Sequence, residues 1–385
     1  MPQKHAYRLI AIGVVLIAIA WLQQRTFADR PQAEEAYDWK LPSYFPPPAI
    51  PDDNNMSAEK VELGRYLFYD PRLSANQTTS CATCHLQALA FSDGQAVSVG
   101  ATGQTTPRNS MALVNVAYNA TYTWANPNLL TLERQIVIPM FGEFPVELGI
   151  TGNEEEVLER FIADERYQQM FSVSFPEDET PIRFANIVKA LAAFTRSLIS
   201  SNSPYDQYLA GDSEALSESA KRGMELFLSE RLECHHCHTG FNLTLSTVHA
   251  NTTFPDKPFF NTGLYNIDGL GSYPSPNTGV YEITHNPDDM GRFRPPTLRN
   301  IALTPPYMHD GSIATLEEVL AFYGAGGRLV EDGPHAGDGR ISPLKSGFII
   351  GFELTPQETA DLLAFLNSLT DQTFITDPRF GNPFE

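Results

Sequence analysis

Apolar residues recur at helical spacing in three stretches of this chain. Ile187, Leu191, Phe194 and Leu198 mark one face of a helix over 184–199, because residues three and four apart share a side of an α-helix. Leu316, Val319, Leu320 and Tyr323 form a second such face, and Leu362, Leu363 and Phe365 belong to a third. Before the third, Thr355-Pro-Gln-Glu358 reads as a capping box with proline in the first turn, a helix start. The N-terminus differs: Lys4 and Arg8 precede an apolar run from Leu9 to Leu22, the layout of a secretory leader and short for a membrane span. Segments rich in Pro, Gly and Asn, 251–296 and 324–343, read as loops, and the polar stretch 210–219 as a linker. The pattern predicts a mainly α-helical protein with long loops and little β structure.

The pattern also repeats. Gly64-Arg-Tyr-Leu67-Phe68 precedes Cys81-Ala-Thr-Cys84-His85, and Gly223-Met-Glu-Leu226-Phe227 precedes Cys234-His-His-Cys237-His238. All four cysteines lie in these two motifs, so none is left for disulfides although the leader predicts export. C-x-x-C-H is the covalent haem attachment signature: each thiol adds to a porphyrin vinyl group and the adjacent His ligates the iron. Two C-x-x-C pairs can instead make one tetrahedral zinc site. Against zinc stand the His after each pair, the 153-residue offset from one pair to the next and the leader. The reading is two covalent c-type haems on Cys81, Cys84, Cys234 and Cys237, with His85 and His238 as iron ligands. Two cytochrome c-like domains in tandem follow from the repeat.

At 385 residues, 42% hydrophobic and 19% charged, the chain is globular in composition and long enough for two ordinary domains. Three of its 26 Lys and Arg lie in residues 1–28, which leaves 23 against 46 acidic residues and a formal charge of −23 for an exported form. That balance argues against nucleic acid as a partner. An acidic surface can steer a basic protein partner or serve only solubility.

Several further motifs carry a family resemblance. They are Leu-Gly-Arg-Tyr-Leu-Phe-Tyr-Asp-Pro-Arg-Leu-Ser (63–74), Thr-Pro-Arg-Asn (106–109), Leu-Glu-Arg-Gln (132–135), Pro-Val-Glu-Leu-Gly (145–149) and Pro-Thr-Leu-Arg-Asn-Ile-Ala-Leu-Thr-Pro-Pro-Tyr-Met-His-Asp-Gly (296–311). With the two haem motifs, the chain resembles the bacterial di-haem cytochrome c peroxidase superfamily, including the MauG and MbnH enzymes that oxidise residues in partner proteins. The MbnH-type enzymes are the more similar branch. The resemblance implies a leader or anchor at 1–28, an N-terminal extension at 29–56, a peroxide-reacting haem domain at 57–209, a linker at 210–219, a second haem domain at 220–372 and a tail at 373–385.

Residue roles follow from the resemblance. Glu147 corresponds to the catalytic glutamate that takes a proton from hydrogen peroxide and returns one to the leaving oxygen. The segment from Pro139 to Glu147 is two residues longer than in the standard peroxidases, and this insertion, within Met-Phe-Gly-Glu-Phe, makes Glu143 a weaker rival. Gln135 and Pro139 correspond to its neighbours. Trp124 corresponds to the tryptophan between the haems, and Asn109, Thr304 and Pro306 to the protein ligands of a calcium ion. No histidine occurs from Leu86 to Met111, so the first haem is expected to be open to peroxide without prior reduction.

The opposite ligand of the second iron separates activities. Conventional relatives place methionine seventeen residues after the proline of T-x-P-Y; counted from Pro306, that position is Tyr323. Tyrosine favours higher oxidation states, as in MauG-like enzymes, whereas Met290 and Met308 sit at other spacings. The resemblance thus implies a periplasmic enzyme that uses peroxide, through a two-iron high-valent state, to oxidise a partner protein, with tryptophan as the expected target. A peroxidase fed by a small cytochrome c or cupredoxin and a non-enzymatic di-haem electron carrier are the alternatives. MauG carries a surface tryptophan two residues before its second motif; Leu232 stands there in this chain, so the exit path or the substrate differs.

Overall fold

Two glycines set the helix packing. In the computed structural model, which describes residues 37–385, helix α1 (Ala58–Tyr69) is closed at its start by Ser57, whose Oγ accepts from Lys60 N at 3.2 Å. The helix buries Leu63, Gly64, Leu67 and Phe68. A Cβ on Gly64 would lie 2.0 Å from the carbonyl oxygen of Ala190, so only glycine lets α1 cross the long apolar helix over Phe184–Ser197 this closely. The second half repeats the device: a Cβ on Gly223 would lie 1.9 Å from the carbonyl oxygen of Asp361. The repeated Gly-x-x-Leu-Phe thus marks one helix crossing in each half.

In chain order the remaining helices are α2 (Cys81–Cys84), α3 (Leu132–Phe141), α4 (Glu154–Ile162), α5 (Glu165–Ser174), α6 (Phe184–Ser197), α7 (Pro204–Leu209), α8 (Glu218–Phe227), α9 (Tyr281–Thr284), α10 (Leu316–Gly324) and α11 (Pro356–Ser368). Among the described residues the β structure is one antiparallel pair, β1 (Leu329–Val330) with β2 (Gly337–Asp338), and isolated bridges. The fold is mainly α-helical, and α11 begins at the expected capping box.

Helix α6 stops two residues earlier than its apolar periodicity predicts. The carbonyl of Leu198 accepts from Asn115 N at 2.9 Å, which draws the chain out of the helix. The expected linker is shorter too, because Ser217 caps α8 and places Glu218 and Ser219 in its first turn. Loop 324–343 holds both short strands.

One core gathers Leu67, Phe91, Phe161, Tyr167, Phe171, Leu191 and Phe194; another gathers Phe227, Leu264, Tyr273, Leu316, Leu320, Leu362 and Phe365. The segment expected as a tail belongs to the first core, which takes in Phe374 and Phe380. Trp39–Glu385 forms one compact unit, joined between the cores by buried polar groups. Asp206 accepts from Arg299 at 2.8 and 2.9 Å, and Asp371 accepts from the backbone of Ser201 and Asn202. Part of the N-terminal extension is also packed, with Phe45 against Tyr118 and Phe241. The leader or anchor at 1–28 lies outside the described residues. Among those described, no helix is long and apolar enough to cross a membrane.

Candidate functional site

The first motif is a single helical turn. Helix α2 is locked by Ser80 and Thr83, with Ser80 N donating to Thr83 Oγ1 at 3.0 Å, and His85 follows as its C-cap. Ala90 and Phe91 both take left-handed backbone angles, φ 52° and 61°, which aim the Phe91 carbonyl at the imidazole. His85 Nδ1 lies 2.7 Å from that oxygen. A carbonyl only accepts, so Nδ1 carries the proton and Nε2 keeps its lone pair, the tautomer a metal ligand needs. Burial holds the imidazole below its ordinary pKa, which keeps it neutral.

Glu147 sits in a loop fastened from both sides. Val146 N donates to Gln104 Oε1 at 2.9 Å, Ala101 N to the Glu147 carbonyl at 2.7 Å and Leu148 N to the Pro139 carbonyl at 2.9 Å. A Cβ on Gly100 would come within 2.0 Å of the Val146 carbonyl oxygen. The half-buried carboxyl is pushed up to about 7 by burial. Burial also raises the Cys81 thiol to about 12 and the Cys84 thiol to about 11, with the Glu147 charge a smaller contributor to both. Glu143 is exposed and lines an outer hollow with Asn76 and Gln104. Gln135 and Pro139 share a face of α3, and Gln135 Oε1 is buried without a hydrogen-bond partner.

The second motif opens on a cavity of about 190 Å³, lined by Trp124, Cys234, Cys237, His238, Met308, His309 and Tyr323. His238 is pushed down to about 4 by burial, against the opposing effect of the Leu243 and Pro296 backbone. Tyr323 arrives on α10, whose Thr315–Glu318 capping box fixes its start and whose Leu316 and Leu320 anchor it in the second core. Its phenol is raised well above the ordinary value, first by burial and then by the nearby Cys237 and Cys234. Met290 is not part of this lining; Met308 is.

Trp124 stands between the two motifs. Its Nε1 donates to the Asn109 carbonyl at 2.9 Å; the next residue, Ser110, donates from Oγ to the Cys84 carbonyl at 2.8 Å and lies 3.5 Å from His85 Nδ1. On its other side Trp124 lines the second cavity. Asn109, distant in sequence from Thr304 and Pro306, meets them around a smaller cavity with Trp124. Arg294 and Arg299 also line it and no carboxylate does, so its charge does not by itself call for a dication.

Two residues at the site escaped the sequence reading. His309 is buried, stacked on Phe293 with ring centroids 3.7 Å apart, pushed down to about 3 by burial and left without a partner at Nε2. The signal available was its place in Tyr-Met-His-Asp-Gly. Arg294 is buried and pulled down to about 10 by burial, lines both cavities and has no ion pair with a carboxylate among the described residues. Nothing in its local sequence marks it. A buried guanidinium without a counter-ion calls for an anionic ligand. Thiols, imidazoles, a phenol and such a cation around the second cavity fit a covalently held, carboxylate-bearing haem there.

Comparison with known proteins agrees with this chemistry. Residues 58–214 match the family Di-haem cytochrome c peroxidase. The chain is 34% identical to Cytochrome-c peroxidase IdrP1 of Denitromonas iodatirespirans, over 91% of this chain and 93% of that one. It is 33% identical to Methylamine utilization protein MauG of Methylorubrum extorquens, over 86% and 83%. It is 55% identical to a MauG-like protein associated with microbial copper homeostasis, whose crystal structure superposes with a TM-score of 0.89 over 91% of this chain and 100% of that one.

Proposed function

From the premise that this chain belongs to the di-haem cytochrome c peroxidase family, we propose that it uses hydrogen peroxide to oxidise a residue, tryptophan, of an exported partner protein by long-range electron transfer. Membership makes it a haem-dependent peroxidase-type oxidoreductase, which sets aside the non-enzymatic carrier. The finer reading rests on one observation above the rest: a phenol, Tyr323, shares the second cavity with Cys234, Cys237 and His238.

In this reading, Cys81 and Cys84 hold one haem and Cys234 and Cys237 the other, two cytochrome c-like haem domains in tandem. His85 would ligate the first iron through Nε2, and His238 and Tyr323 would ligate the second. The bound haems supply the redox chemistry, two electrons per peroxide. Glu147 takes a proton from hydrogen peroxide and delivers it to the departing oxygen, a task suited to a carboxyl poised near neutrality. Gln135 and Pro139 hold the loop and helix beside it. Trp124 carries electrons between the halves, and two electrons and two protons leave the partner for each peroxide reduced to two waters. The buried Leu232 offers no surface relay, so electrons enter elsewhere around the second cavity. Calcium at Asn109, Thr304 and Pro306, export to the periplasm with the leader cleaved or kept as an anchor, and an acidic docking face belong to the same proposal. The 55% identical relative's association with copper homeostasis makes a protein of that process the first partner to try.

Met308 in the same cavity keeps a second reading in play, a peroxidase supplied by a small cytochrome c or cupredoxin through a thioether-ligated haem. Incubating the holoenzyme, peroxide and a co-encoded partner, followed by peptide mass spectrometry, separates the two. Oxygenated or otherwise oxidised partner tryptophan supports the first. Rapid turnover with the small donor and an unmodified partner overturns it.

A further inference from the structure

The second motif has an outward side that the haem chemistry does not use. After α8 ends at Phe227 the chain turns sharply: Leu232 N and Glu233 N both donate to the Ser229 carbonyl at 3.2 Å, and Glu233 takes a left-handed φ of 59°. The turn returns Glu230 to the two histidines between the cysteines. Glu230, His235 and His236 each offer a ligand atom, and these atoms all lie within 4.8 Å of one another. We propose that Glu230, His235 and His236 bind a divalent transition-metal ion, copper(II) or zinc(II), on the solvent side of the second attachment turn.

The distances carry the proposal. His235 Nε2 lies 3.4 Å from Glu230 Oε1 and His236 Nε2 lies 3.6 Å from Glu230 Oε2, both longer than a well-formed hydrogen bond. Ligand bonds of about 2.0–2.2 Å at a tetrahedral ion place neighbouring donor atoms about 3.3–3.5 Å apart, close to the spacing observed. Without an ion, Glu233 Oε2 lies 2.7 Å from His236 Nε2, a hydrogen bond in which that nitrogen donates, so an arriving ion takes the place of the His236 proton.

The rings are held before any ion arrives. His236 stacks on Phe348 with centroids 4.4 Å apart and planes at 18°, and His235 lies against His236 at 4.2 Å. His235 Nδ1 is buried without a hydrogen-bond partner, so no protein contact there commits the ring's other nitrogen to a proton. Glu230 is exposed and the imidazoles are half-buried, which leaves the ion an entry from solvent. Two imidazoles with carboxylates suit borderline ions rather than hard calcium or magnesium, and the nearby thiols that softer ions prefer face the cavity.

The test uses holoprotein treated with a chelator and then titrated separately with copper(II) and zinc(II), followed by calorimetry and, for copper, electron paramagnetic resonance. One ion per chain is expected, with nitrogen couplings from two imidazoles. Glu230→Gln and His236→Gln should each weaken binding at least about tenfold, and His236→Gln should remove one nitrogen coupling. Haem absorption reports whether each variant keeps both haems; if His236→Gln does not, Glu230→Gln decides alone. Binding of either ion with these losses supports the site. Equal affinity in wild type and variants, an adventitious ion without nitrogen coupling, or no retained ion overturns it. The site stands apart from the partner-oxidation reading, whose failure would leave these measurements unchanged.

Discussion

Glu147 and Tyr323 are the two residues whose environments make the sharpest claims. Burial lifts the Glu147 carboxyl to about 7, so the folded protein holds this proton more tightly than the unfolded chain does. Its contribution to stability therefore falls as pH rises from the ordinary carboxylate range to about 7, and levels off above it. As a base, the same group must be ionised, so the peroxide reaction should speed up as pH passes about 7. Glu147→Gln should slow that reaction about 10²–10⁴-fold and abolish the pH step, as read by stopped-flow absorption. A Gln variant as fast as wild type would remove Glu147 from the chemistry. For Tyr323, replacement by Phe should alter the second haem's spectrum and raise its midpoint potential in spectroelectrochemistry, because an anionic oxygen ligand stabilises the oxidised iron. An unchanged spectrum and potential would assign the position to Met308 or another group. The pattern of residues pointed to both positions only through their resemblance to family motifs. An acidic loop residue and an aromatic at the end of an apolar stripe are usually solvated charge and core packing.

At the level of elements, the repeated glycines explain why two unlike stretches of sequence build the same helix pair. A methyl group at Gly64 or Gly223 would meet a backbone carbonyl near 2 Å, at 2.0 and 1.9 Å, and backbone yields less readily than a flexible side chain. Gly64→Ala and Gly223→Ala should each destabilise the protein by about 1–3 kcal/mol or more, measured by denaturant unfolding with haem content as a second readout. Gly347→Ala, with no atom within 4 Å of the added carbon, should change little. Equal stability of all three variants would show that the crossings relax. The helix interiors were legible because their apolar spacing and caps are local. The end of α6 was not, since it is set by Asn115, more than eighty residues upstream, taking the Leu198 carbonyl.

Across the whole molecule, the C-terminal segment joins what the sequence divides. Phe374 stands 5.6 Å from Phe91, and the Phe374 carbonyl accepts from Gln87 Nε2 at 3.2 Å, so residues after α11 buttress the turn that orients His85. Phe374→Ala should cost about 3–5 kcal/mol, seen as a lower unfolding midpoint together with a perturbed first-haem spectrum; a change confined to the second haem would contradict this packing. By itself the sequence determined the helical class, the two attachment motifs, the internal repeat and the acidic balance. Each of these is written in residue types at short, fixed spacings, and the chemistry of C-x-x-C-H needs neighbours only three and four positions apart. Only the tertiary structure decided that Trp124 lies between Asn109 and the second cavity, that Arg294 is buried with no carboxylate paired to it among the described residues, and that His309 faces the same space as Tyr323. Those placements depend on which distant segments pack together, and burial and charge pairing exist only once they have done so.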